Sequence, residues 1–143
     1  MAFYMVISHK PPCVTIAINA TQRRKNLKSL LAQKAFVLGF PSISQVKEAD
    51  YLGVESGYDA DKLKNIGFST SRAKSVNAPV IHELRLSLEC EVVHTVTVGS
   101  HTQVTGEVTL WETWLTREFW RNLSRKPLRI MVISITSSTM LYP

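Results

Sequence analysis

The stretch "LRLSLECEVVHTVTVGSHTQVTGEVTL" (84–110) constrains the fold of this chain more than any other. Leu84, Leu86, Leu88, Cys90 and Val92 alternate with Arg85, Ser87, Glu89 and Glu91. Successive side chains of a strand point to opposite faces, so the run is predicted to be a half-buried strand with a polar outer face. "GSH" (99–101) turns the chain and "TQVTGEVTL" returns antiparallel. After Leu110 the alternation fails, and Trp111, Trp114 and Trp120 arrive close together.

The residues before this hairpin supply further elements. "FYMVIS" (3–8) and "CVTIAIN" (13–19) are rich in β-branched residues and separated by "HKPP". Prolines do not sit inside a central ladder, so this reads as strand, turn, strand. "RKNLKSLLAQK" places Leu27, Leu30 and Leu31 at helical spacing, and "AFVLGF" follows as a short buried strand. Ser42 and Gln45 form an S-x-x-Q capping box that opens a helix, and "YDADKLKNIG" reads as a short helix closed by Gly67. Residues 68–83 read as loop. Long antiparallel strands with short inserted helices predict an α+β domain, mainly β, closed as a barrel.

With 143 residues the chain makes one domain. No apolar run approaches the roughly 20 residues of a membrane span. "MAFYMVISHKPP" lacks the basic start and apolar core of a secretory signal, so an intracellular, cytoplasmic protein is expected. Cys13 and Cys90 stand alone in apolar stretches, without the spacing of a metal site or a disulfide framework, and are expected to be buried free thiols. GxSxG, HExxH, GxGxxG and P-loop motifs are absent, and His9, His82, His94 and His101 show no ligand spacing.

A formal net charge of +6 points to an anionic partner, either nucleic acid or a phosphorylated cofactor. The tight basic cluster is "RRK" (23–25), inside "INATQRRKN" (18–26), where a strand ends and a helix begins. Free amides at a helix N-terminus together with Arg23, Arg24 and Lys25 make a phosphate cradle, to which Thr21 and Asn26 add neutral hydrogen bonds. The plainer alternative is a solvated basic face. His101 differs from the other histidines in sitting within a tight turn beside Gly99 and Ser100, where backbone amides and an imidazole can converge on a ligand. Phe and Tyr are scattered instead of lining a basic stripe, which weighs against nucleic acid.

The order of "KPP", "VTIAIN", the basic helix start, "FVLGFPS", "VKEADYLGVESGYDADKL", "VNAPVIHE", "LECEVV" and "VGSHTQVTGEV" resembles the flavoredoxin group of the flavin reductase-like, FMN-binding split-barrel family. The resemblance covers residues 3 to about 108. It implies a split β-barrel with short inserted helices, a homodimer, and FMN held near the interface. The implied activity is that of a flavin reductase or a flavoredoxin-like electron carrier, with NAD(P)H as hydride donor or a redox protein as partner. The resemblance places Asn19, Ala20, Thr21, Arg23, Arg24, Lys25 and Asn26 at the FMN phosphate and Ser8 at the strand end that approaches the isoalloxazine ring. It matches Gly99, Ser100, His101 and Thr102 to the Gly-x-His-Thr turn. His101 then positions the flavin and the hydride donor, while Ser56 and Gly57 border the mouth of the site.

Two departures accompany the resemblance. The family carries strand and loop before the "KPP" turn, so residues 1–110 are expected to form a split-barrel domain lacking an N-terminal strand. The family continues after "GEV" with an acidic, strand-forming segment, whereas residues 111–143 form an atypical tail. One reading makes "WETWLTREFWRNL" an amphipathic helix with Trp111, Trp114, Leu115 and Phe119 on one face and "PLRIMVISITSSTMLYP" a final strand. The other is a reading frame slipped near residue 109. The competing functional class is a non-enzymatic basic β-barrel that binds nucleic acid through "RRK" and the tail arginines.

Overall fold

The computed structural model describes residues 3–20, 25–54, 62–113 and 134–136. Strands β1 (Phe3–His9) and β2 (Pro12–Asn19) form the first hairpin, with Pro12 opening β2. Helix α1 (Lys25–Gln33) follows, then β3 (Ala35–Phe40). A 3₁₀ turn at Ile43–Gln45 leads into α2 (Val46–Val54), and α3 (Lys62–Asn65) is a single turn. The Ser42 N–H donates to Gln45 Oε1 at 2.9 Å, the backward half of the capping box read in the sequence.

Residues 68–83 are not all loop. β4 (Thr70–Arg72) and β5 (Pro79–Ile81) pair as a small antiparallel sheet. Three residues are too few to show an alternation, which is why this pairing is silent in the sequence.

β6 (Leu86–Val98) and β7 (His101–Thr113) are the long hairpin. β8 (Ser134–Thr136) pairs antiparallel with Val37–Gly39 of β3. The main sheet runs β1-β2-β7-β6-β3-β8. Its inner face carries Val14, Ile16, Ile18, Phe36, Leu38, Cys90 and Val104, and Leu30 of α1 is buried among them. Leu31, expected on the same helical face, is exposed. A second cluster of Ala35, Val37, Ala73, Val76, Ala78 and Val80 packs on the other face of β3. A strand covered on both sides reads as an unbroken apolar run, as "AFVLGF" does.

The polar face expected of β6 is not open to water throughout. Glu89 is fully buried. Its carboxylate accepts the Ser75 N–H at 2.6 Å, the Ser75 hydroxyl at 2.6 Å and the Lys74 N–H at 3.1 Å. Burial pushes this carboxyl up, but the donors from Ser75, Lys74 and Val76 outweigh it and hold it below the ordinary carboxylate range. Lys74 also forms an ion pair with Glu112 of β7.

The failure of alternation after Leu110 has a structural cause. Val108 pairs with Cys90 and Leu110 with Glu89, so Thr109 is an extra residue in a β-bulge. Similar irregularities leave Val93 of β6 and Ile7 of β1 without partners. Both are exposed apolar side chains, as expected of residues displaced from the regular pleat. Residues 111–113 continue β7, so the helix expected from Trp111 does not begin there, and Trp111 is 67 % exposed. Trp114, Leu115, Phe119 and Trp120 lie outside the described residues.

Candidate functional site

Segments singled out separately in the sequence meet at one end of the sheet. Asn19, the last residue of β2, pairs with His101, the first of β7, and His101 pairs on its other side with Val98 of β6. The Ala20 N–H donates to the Ser100 carbonyl at 2.8 Å, adding one rung beyond the strands. The beginning of the 19–26 segment and the histidine turn are therefore direct neighbours.

The turn is a two-residue hairpin loop of Gly99 and Ser100. Gly99 has φ +56°, the value that the first central position of a type II′ turn requires and that a side chain disfavours. Ser100 is not left-handed, since Lys34 is the one non-glycine residue with positive φ among the described residues. The Ser100 hydroxyl lies 2.8 Å from His101 Nδ1. His101 is half-buried and Ser100 exposed.

Thr102 faces the opposite side of β7. It is buried, and its hydroxyl is 3.0 Å from that of Thr97. From there it braces the hairpin beneath His101 and does not share the surface that His101 presents.

The helix start, at Lys25, follows Ala20 after residues 21–24, which lie outside the described residues. α1 carries no acidic residue in its first turn. Asn26 is half-buried in that turn. Asn19, Asn26 and His101 each make interactions of their own. Thr21, Arg23, Arg24, Ser56 and Gly57 lie outside the described residues, as does the side chain of Lys25.

Ser8 is placed elsewhere. It pairs with Cys13 at the far end of β2 from Asn19, roughly 20 Å away along the strand. Within one chain it does not join the histidine turn.

Sequence reasoning passed over the rest of the surface around His101. Alternation puts Thr15 and Ala17 of β2 on the same face as Asn19. Their partners Thr105 and Gln103 stand beside His101 on β7, and His94 and Val96 continue the rows on β6. The Thr15 and Thr105 hydroxyls are 2.8 Å apart. The available signal was Thr15, Ala17 and Asn19 set between the apolar Val14, Ile16 and Ile18. It marks a face of small side chains instead of a second core.

Other chemistry is limited. Cys13 and Cys90 are both free and buried, and burial pushes the Cys90 thiol up to about 12, so it stays protonated. Among the described residues no three His, Cys, Asp or Glu side chains come together as a metal site. No helix among them is long and apolar enough to cross a membrane.

Residues 1–117 match the model of the flavin reductase like domain. An uncharacterized protein of Archaeoglobus fulgidus is 29% identical over 102 residues, covering 71% of this chain and 56% of that one. The flavoredoxin of Desulfovibrio vulgaris (Miyazaki F) superposes with a TM-score of 0.70 at 25% identity, covering 77% of this chain and 57% of its own. An FMN-binding protein from Thermus thermophilus, solved with p-hydroxybenzaldehyde, has a TM-score of 0.71 at 19% identity over 99% of this chain and 78% of its own. The chain thus spans little more than half the length of the first two. The fold is the mainly β split barrel with short helices that these structures share.

Proposed function

The chain belongs to the flavin reductase like domain family, and on that footing we propose that it binds FMN and moves hydride or electrons between that flavin and a nicotinamide nucleotide or redox protein. One observation carries this reading. The β2–β7 pairing sets the histidine turn against the strand end that leads into α1. A flavin mononucleotide has an anionic end and a redox-active ring, which we assign to the basic segment after Asn19 and to the face around His101.

The chemistry of the donors fits. Arg23, Arg24 and Lys25 would supply charge to hold a monophosphate beside the start of α1, whose first turn carries no acidic residue. His101 and the small residues Ala17, Thr15 and Thr105 would border the ring. When bound, FMN supplies the redox chemistry itself. The chain's part is to grip the phosphate, leave one face of the ring open, and position the donor or acceptor. No side chain in the corner needs to act as a nucleophile. We assign these roles to the domain of residues 1–110, acting as a homodimer in which the second copy brings its own Ser8 edge toward the flavin.

The test separates phosphate from ring. Replacing Arg23 and Arg24 together with Ala should weaken FMN binding about tenfold or more, because charge-assisted hydrogen bonds are the strong ones. Riboflavin, which lacks the phosphate, should bind nearly as before. Fluorescence titration of both flavins reads the difference. Equal losses for the two would remove these arginines from the phosphate site.

A further inference from the structure

We propose that the paired hydroxyls of Thr15 and Thr105 act as one hydrogen-bond donor to the ligand, meeting an acceptor atom on the polar edge of the flavin ring. The inference rests on the reading that this face borders the flavin. It gives the two threonines a role that the arginines and His101 do not cover.

The pair is set by the register of the sheet. Thr15 of β2 stands opposite Thr105 of β7, and their hydroxyl oxygens are 2.8 Å apart. Alternation places both on the face that carries Ala17 and Asn19 of β2 and His101 and Gln103 of β7. The opposite face of the same strands is the core, with Val14, Ile16, Ile18 and Val104. Both threonines are half-buried, so the pair is reached from outside without being fully bathed in water.

Counting hydrogens gives the role. Two hydroxyls hold two hydrogens, and the bond between them uses one, whichever oxygen donates. The other hydrogen is left over in either arrangement. Among the described residues neither hydroxyl makes a further hydrogen bond. Before a ligand arrives water takes this hydrogen, and an acceptor atom of a ligand can take the place of that water.

The position suits a ring and not a phosphate. Thr15 and Thr105 lie four residues from Asn19 and His101 along their strands, roughly 13 Å. A ligand whose anionic end sits beyond Asn19 passes His101 and reaches the threonines last. The next row on this face carries Glu107 and Glu91, paired across β7 and β6, whose carboxylates repel a phosphate. An uncharged donor serves a carbonyl oxygen or ring nitrogen, and the isoalloxazine ring carries such acceptors along one edge.

A shared donor and a simple brace between strands respond differently to substitution. A brace is lost as soon as either hydroxyl goes, whereas either hydroxyl left alone still has a hydrogen to donate. The experiment titrates Thr15→Val, Thr105→Val and the double variant, each in the full chain, with riboflavin and with FMN by fluorescence. Valine keeps the branched shape that suits a strand. Each single variant should bind riboflavin within about two-fold of the wild type. The double variant should lose about five-fold, the worth of one ordinary hydrogen bond, and lose it equally for FMN. A variant with Thr15→Ser and Thr105→Ser together, which keeps both hydroxyls, should bind as the wild type does.

A riboflavin loss already complete in either single variant, or shared equally between them, overturns the proposal. A loss for FMN alone moves the pair to the phosphate and overturns it too. A wild type that binds both flavins, with a double valine variant that binds them no worse, removes the threonines and leaves the flavin reading standing. A wild type that binds neither flavin removes both.

Discussion

Gly106→Ala is expected to destabilise the domain by about 3 kcal/mol, with Gly106→Val worse. A Cβ built on Gly106 would lie 2.6 and 2.7 Å from two ring atoms of Phe36 and 2.8 Å from Cys90 Cβ. None of these can withdraw easily. Phe36 and Cys90 are fully buried, and they occupy paired positions on β3 and β6. The ring lies across β7 where that strand has no side chain, the close approach for which a strand glycine is kept. In a thermal melt the loss should lower the midpoint by about 10 °C or more. The cause is identified by a double variant. Phe36→Leu leaves a cavity when made alone, but in combination with Gly106→Ala it removes the two ring atoms that clash, leaving only the Cys90 contact, so the pair should be more stable than the sum of the single effects allows. Strict additivity would show that the ring is not what Gly106 accommodates.

The second large effect is expected at Glu89. Removing its carboxylate in Glu89→Ala leaves the Ser75 and Lys74 amides and the Ser75 hydroxyl without their acceptor, at a cost of about 3 kcal/mol. The same site should give the wild type an acid sensitivity. The folded-state pKa lies below the ordinary value, so the charged carboxylate contributes stability above the unfolded-state pKa of about 4.3. That contribution is lost as the pH falls through the lower folded value. Urea midpoints measured from about pH 7 down to pH 3 should therefore fall more steeply for the wild type than for Glu89→Gln, which has no proton to take up. Parallel curves for the two chains would show that Glu89 is not held as its contacts indicate. Glu83, which accepts the Ser69 N–H and hydroxyl, has a lowered pKa in the same sense and adds a background slope common to both.

These two residues mark where the sequence was readable and where it was not. The strands, α1 and the capping box at Ser42 follow from periodicities that act within a few residues. Glu89 sits in the same alternation as Arg85 and Glu91, and nothing local distinguishes a glutamate facing water from one beneath the 73–78 segment. That difference is made by a chain segment which the alternation cannot see. Gly106 could likewise be any weak point in a strand until Phe36 is placed above it. The candidate site was legible in pieces: the "GSH" turn and the strand-to-helix junction each showed a local signal. Their adjacency comes from the β2–β7 register, which no local pattern states. The tail was misread at its start because a bulge and the onset of a helix both end an alternation, and Thr109 supplies the first.

That bulge has a consequence for insertions and deletions. In a regular strand the loss of one residue exchanges inside for outside from that point on. Deleting Thr105, for example, would send Val104 and Val108 to opposite faces. At Thr109 and Val93 the sheet already holds one residue too many, so a chain shortened by one there keeps every later side chain on its present face. Shortening at Thr109 would forfeit only what its hydroxyl holds: the Glu89 carbonyl at 3.1 Å and the Ser75 hydroxyl at 2.7 Å. Within the long hairpin, these are the positions where length can drift without scrambling the barrel.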